Sequence, residues 1–293
     1  LTLGRLQSYF APKGLEARER LVHAFEKYLQ AGHEKHASHV IRATIDIMRN
    51  HDVNPQDLAR VETFNTSVAT VNTTPTAVWM IINVLANKKL HKALSAELQG
   101  ITTELPNERD ASGRRIEVDI SRVSKECPLL QATYQEALRL GSIPVCNRSV
   151  LEDTVMVEPE TGQEVVLKKG HRVVVPTFML HMREALWGEK AEAFDPWRFL
   201  NEKNSEDRKI RSQAFVPYGG GVHLCPGRHF AEIEILAVAS LMILGMEVQM
   251  ADSSEITVPR AAITSGALKP AVPMLVRMGR HAGFEDVEWV IKA

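Results

Sequence analysis

Phe215-Val216-Pro217-Tyr218-Gly219-Gly220-Gly221-Val222-His223-Leu224-Cys225-Pro226-Gly227 is the stretch on which the reading of this chain turns. Three consecutive glycines permit backbone conformations and close approaches that side chains would block. Cys225 follows, just ahead of an apolar run over 227–245 that reads as a helix opened by Pro226. A helix N-terminus offers free N–H groups and positive potential, which favour a thiolate over a thiol. A cysteine held this way is a ligand or a nucleophile. The plainer alternative is a buried free cysteine beside a turn.

Working outward, residues 176–227 are dense in proline, glycine and aromatics with little periodicity, and so long an irregular stretch is usually functional. Before it the period is two: 150–159 and 164–175, separated by Thr161-Gly162, read as a β-hairpin. Pro128 opens a helix over 129–140 that Gly141 closes. Glu136 and Arg139 sit three apart on it, a spacing that alone gives a helix-surface ion contact worth roughly a few tenths of a kcal/mol. The first half is helical. Leu21, Val22, Phe25 and Leu29 mark a helix over 16–29, a second covers 36–49, and Asn54-Pro55 starts a third that runs to 87. A shorter helix follows through 97, and 106–113 is a polar loop. Short strands near 256–258 and 273–278 finish the fold, and 281–293 is a tail. The pattern predicts a mainly α protein with small β-sheets, a single domain over 1–293, without internal repeats.

Composition excludes several classes. Lys and Arg total 35 against 36 Asp and Glu, for a net charge of −1, so no surplus of positive charge exists for a nucleic-acid partner. Cys127, Cys146 and Cys225 are too few and too scattered for a disulfide framework or a zinc ribbon. Residues 63–87 carry no charge, but eleven of them are Thr, Asn or Ser and one is Pro75, a composition for a buried helix rather than a membrane span. The first residue is Leu1 and no basic-then-apolar leader follows, which points to a processed product or a fragment.

The loop around Cys225 resembles the heme-binding segment of the cytochrome P450 family, whose pattern is F-G-x-G-x-R-x-C-x-G. Gly219, Gly221, Cys225 and Gly227 fall on its fixed positions, with Phe215 and Pro217 matching residues common just upstream. The resemblance makes Cys225 the proximal thiolate ligand of heme iron. Tyr218 stands at the usual phenylalanine, and His223 at the arginine that contacts a heme propionate, where its charge depends on pH. Two further motifs agree. The family locks an E-x-x-R pair to an arginine in an F-x-P-x-R-F-like segment, and Phe194-Asp195-Pro196-Trp197-Arg198-Phe199 supplies Arg198 as the third member beside Glu136 and Arg139. The order along the chain is also the family's, and it assigns the C-terminal portion of that fold. By the same resemblance Arg148 meets a propionate, and Ile143, Val145, Ser265 and Gly266 line the substrate pocket, the last two in a Thr264–Ala267 turn. Cys127 and Cys146 read as structural.

In most of the family the central helix reads A/G-G-x-D/E-T-T, and its threonine helps deliver protons to oxygen. Here it is Ala69-Thr70-Val71-Asn72-Thr73-Thr74-Pro75. Matching Thr-Thr directly puts Thr73 at the oxygen-activating position; counting back from Trp79 and Asn87 puts Asn72 there, the register we favour. That version is similar to the branch of sterol 7α-hydroxylase and prostacyclin synthase, shared by many fungal members. Pro75 lacks an N–H, so the carbonyl of Val71 loses its helical partner and can hold a water or a substrate hydroxyl beside Asn72. Pro75 merely kinking a helix is the alternative.

What the resemblance implies is a heme-thiolate monooxygenase inserting one oxygen atom of O2 into a lipophilic sterol-like, terpenoid or other secondary-metabolite substrate. Its cofactor is heme b, with electrons from NADPH through a reductase. Two alternatives stand: an isomerase or dehydratase acting on a peroxide with the same heme, and an inactive truncated remnant. A full-length parent would be anchored at the endoplasmic reticulum membrane, facing the cytosol.

Overall fold

The computed structural model describes residues 7–106, 113–142, 145–200, 205–250, 267 and 275–293. Two compact units divide the chain, 1–71 and 72–293. The first contains α1 (Gln7–Phe10), α2 (Pro12–Gln30), α3 (His39–Asn50) and α4 (Pro55–Val71). Its core is Val22 and Leu29 of α2, Ile45 of α3, and Leu58 and Ala59 of α4. As the Asn54-Pro55 pair predicts, Asn54 caps α4: its Oδ1 accepts from the N–H of Asp57 at 2.9 Å.

In the second unit, α5 (Thr73–Ala86) and α6 (Lys88–Gln99) lead to strands β1 (Thr102–Leu105) and β2 (Arg115–Asp119). Asn87 caps α6 by accepting from Leu90 N–H at 3.1 Å. After α7 (Val123–Glu126) comes α8 (Pro128–Gly141), the helix predicted between Pro128 and Gly141. Then follow β3 (Val145–Ser149), β4 (Thr154–Val157), β5 (Glu164–Leu167) and β6 (Arg172–Pro176). Short helices α9 (Thr177–His181), α10 (Glu184–Trp187) and α11 (Ser205–Ala214) precede α12 (Arg228–Gly245), β7 (Met246–Met250), β8 (Val276–Arg280) and β9 (Glu288–Lys292). Fully buried Met80, Leu90, Leu94, Leu98, Leu130, Ile235 and Ile243 form a core shared by α5, α6, α8 and α12. Each such side chain contributes roughly 1.5–3 kcal/mol.

Four details differ from the sequence reading. The helix expected to reach 87 ends at Val71, and α5 begins at Thr73. Pro75, which has no N–H for the carbonyl of Val71, accounts for the break. By length and composition Pro55–Ala86 would suffice to cross a bilayer, contrary to the expectation. Its α5 part packs on α8 and α12 with Thr73 and Thr76 buried, as a core helix does. The predicted hairpin is real but shorter, β4 with β5 around Gly162 at φ +70°. Residues 172–176 turn away at Gly170 and pair antiparallel with β3 instead. Finally, β9 joins β2 in parallel, Arg115 opposite Glu288, in a three-stranded sheet with β1. The strand expected near 273–278 is seen as β8, while 256–258 lies outside the described residues.

Candidate functional site

Glu136 and Arg139 are wholly buried on α8, facing inward one turn apart. Arg139 grips the carboxylate through Nε to Oε2 and Nη2 to Oε1, both at 2.7 Å. Arg198, on the short 3-10 turn Pro196–Phe199, donates from Nε to the same Oε1 at 3.0 Å, and the N–H of Asp195 adds a bond at 2.9 Å. One carboxylate between two guanidiniums leaves a net positive charge in the core. Backbone carbonyls absorb it: Arg139 donates to His181 O at 2.5 Å, and Arg198 to Trp187 O at 2.5 Å and Lys190 O at 3.1 Å. Buried charge without such partners would be costly. The irregular stretch 181–198 is therefore held on α8 through its own backbone.

His181 carries this network to the cysteine loop. It is fully buried; its Nδ1–H donates to the carbonyl of Arg139 at 3.1 Å and its Nε2 accepts from Val216 N–H at 3.2 Å. A carbonyl can only accept and an amide only donate, so the imidazole is neutral with its proton on Nδ1. Burial pushes its pKa down to about 4, and the charge of Arg139 acts in the same direction. Around it Trp187, Phe199 and Phe215 pack edge-on or tilted, with ring centroids 5.4–6.2 Å apart. Arg139 lies over the indole of Trp187 at 5.1 Å. Sequence reading missed His181 and Trp187; the aromatic density of 176–227 was their only trace.

The loop itself folds back on Tyr218. Cys225 N–H donates to Tyr218 O at 3.1 Å, Gly219 N–H to Val216 O at 3.1 Å, and Gly219 and Gly221 adopt φ of +76° and +64°, conformations that favour glycine. Cys225 is half-buried, two residues before Gly227 caps α12, and Arg228 donates to its carbonyl at 3.1 Å. Arg148 on β3 reaches the same loop, Nη2 to Gly220 O at 2.7 Å, and is exposed. His223 is exposed on the turn Gly221–His223. Tyr218 is half-buried, and its hydroxyl shares a hydrogen bond with that of Tyr134 on α8. Cys146 lies against Gly219, where a Cβ would stand 3.8 Å from its Sγ. Cys127 is remote and buried, its thiol pushed up to about 11.

Asn72, between α4 and α5, accepts from Ala267 N–H through Oδ1 at 3.0 Å, and Ala267 bridges Ser142 at the end of α8. Thr73 is buried at the start of α5. Val145 is exposed on β3. Ile143, Ser265 and Gly266 lie outside the described residues, as does Thr264.

The loop that bears half-buried Cys225 is thus tied, through Val216 N–H and His181, to the buried network of Glu136, Arg139 and Arg198. The model of the cytochrome P450 family matches residues 11–277, and the chain belongs to that family. It is 32% identical over 285 residues to a cytochrome P450 monooxygenase of Gibberella zeae, covering 94% of this chain and 53% of that protein. It is 30% identical over 286 residues to cytochrome P450 monooxygenase nodJ of Hypoxylon pulicicidum, covering 95% and 54%. A 7-alpha-hydroxycholest-4-en-3-one 12-alpha-hydroxylase of Oryctolagus cuniculus is 30% identical over 189 residues, 62% of this chain and 36% of that protein. The chain thus spans about half the length of the first two of these relatives.

Proposed function

We propose that this chain supplies the thiolate-ligand portion of a heme-thiolate monooxygenase acting on lipophilic substrates, with electrons delivered from NADPH by a reductase. The observation that carries the reading is the backbone connection from the Glu136 network through His181 to the Cys225 loop. The donor set suits heme. A single soft sulfur stands at Cys225 among glycines that leave the loop bare, and apolar Val222 and Leu224 flank it, exposed. Arg148 brings an exposed guanidinium to the loop, suited to an anionic propionate edge, and Tyr218 brings an aromatic ring.

When bound, thiolate-ligated heme supplies activation of O2 and insertion of one oxygen atom into an apolar C–H bond. The chain's own residues bind and orient. Cys225 would hold the iron and Arg148 a propionate, while Glu136, Arg139 and Arg198 keep the loop in place. Asn72 ties the oxygen-side helix to the backbone at Ala267, where the substrate pocket is expected. The relative named as a 7-alpha-hydroxycholest-4-en-3-one 12-alpha-hydroxylase supports a lipophilic, sterol-like or related substrate class, and a longer parent would work at the endoplasmic reticulum membrane.

A second reading has one observation in its favour. The side-chain oxygen of Asn72 already accepts from Ala267 N–H, which leaves it one lone pair rather than two for a proton relay; an isomerase or dehydratase acting on a peroxide needs no such relay. The carbon monoxide difference spectrum of the reduced protein, with Cys225→Ser as control, tests the shared premise. A red-shifted Soret band lost in Cys225→Ser is expected, and heme uptake without that band would refute thiolate ligation. Turnover that requires NADPH and reductase selects the monooxygenase; turnover of a hydroperoxide without them selects the isomerase.

A further inference from the structure

Two side chains one turn apart on α8 hold the backbone on either side of Cys225. Tyr134 is 3% exposed, and its hydroxyl bonds that of Tyr218, seven residues before the cysteine. Gln131 donates from Nε2 to Glu232 Oε1 at 2.7 Å, seven residues after it, on α12. Tyr218 then connects directly to the cysteine, because its carbonyl accepts the Cys225 N–H at 3.1 Å. Position 218 is the place where the family pattern has phenylalanine, so the hydroxyl there is an addition, and α8 meets it with a second hydroxyl. Burial raises both phenols, and for Tyr134 the bond from Tyr218 adds to the effect. Both stay neutral across the physiological range.

We propose that Tyr134 and Gln131 are positioning residues for Cys225, bracketing the ligand loop between two fixed points on α8. The inference deepens the heme-thiolate reading and rests on it for its purpose, though not for its test. A buried hydroxyl that loses its partner pays its desolvation cost, whereas removing both hydroxyls leaves a matched apolar pair. Tyr134→Phe therefore frees the loop, and the double variant Tyr134→Phe/Tyr218→Phe restores it.

The test is the alkylation rate of Cys225 by iodoacetamide, read peptide by peptide by mass spectrometry against buried Cys127 in the same molecule. Tyr134→Phe is expected to raise the Cys225-to-Cys127 ratio about three- to ten-fold, the consequence of losing one ordinary hydrogen bond. Gln131→Ala is expected to raise it in the same direction, and the double tyrosine variant to return it near the starting value. An unchanged ratio in Tyr134→Phe, or a double variant as reactive as the single, overturns the bracket. On heme-loaded protein the same variants should shift the iron midpoint potential in the same order. Alkylation needs no heme, so a ratio that follows the variants in a protein without the carbon monoxide band would sink the heme reading alone. The band together with an unchanged ratio would sink the bracket alone.

Discussion

The buried network at Glu136 and the loop at Cys225 are joined through His181, yet they are built on opposite principles. Glu136 and Arg139 are sealed from solvent, and each carboxylate oxygen and guanidinium arm described has a partner. Around Cys225 several side chains lie open: Val222 is 95% exposed and His223 is exposed, and the loop's order comes from backbone hydrogen bonds, two glycines at positive φ and side chains that reach it from outside, Arg148, His181 and Tyr134. The difference separates two tasks. The network fixes the chain and tolerates no loss, because a buried charge without its counterpart is costly. The loop carries the cysteine, and its exposed side chains can change at little cost to the fold.

Breaking the network should have the largest effect. Glu136→Ala leaves two guanidiniums facing each other across an empty carboxylate site, and is expected to lower the unfolding free energy by about 3–5 kcal/mol. Urea denaturation measures this, and a loss below about 1 kcal/mol would show that the carbonyls alone satisfy both arginines.

The junction comes next. His181 has a folded pKa of about 4 against an ordinary value of 6.5. Above the ordinary value both folded and unfolded states hold it neutral, and its contribution is complete. As pH falls toward 4 the unfolded chain takes up a proton that the folded chain refuses, so stability drains across that window. The loss should reach about 3 kcal/mol near pH 4. Replacement by His181→Gln should flatten this slope relative to wild type in denaturation curves between pH 7 and 4.5; parallel curves would remove His181 from the account.

The smallest effect belongs to the loop. Cys225→Ser and His223→Ala should each leave the unfolding free energy, measured by urea denaturation, within about 0.5 kcal/mol of wild type. Should either cost as much as Glu136→Ala, the division between buried scaffold and cysteine loop would collapse.

Residues close in sequence, or marked by unusual chemistry, were legible before the fold was known. The helix between Pro128 and Gly141, the apolar helix after Cys225, the cap at Asn54 and the turn at Thr161-Gly162 all follow from local rules, and the structure has each of them. Glu136, Arg139 and Arg198 were singled out by spacing and family resemblance, and they meet in space. The split of 164–175 into two strands was less legible, since its valines suit either sheet and Gly170 alone marks the bend. His181 gave no signal, because a single histidine between apolar residues looks like any other.

By itself, then, the sequence determined the helices, the caps and the family pattern of the Cys225 loop, since these depend on neighbours within a few positions and on rare residue combinations. Only the tertiary structure decided which distant groups share a bond: β2 with β9, Asn72 with Ala267, Tyr134 with Tyr218 and Glu232 with Gln131. Those pairings depend on which helix face packs against which loop, and that is settled by burial of the shared core rather than by any local preference.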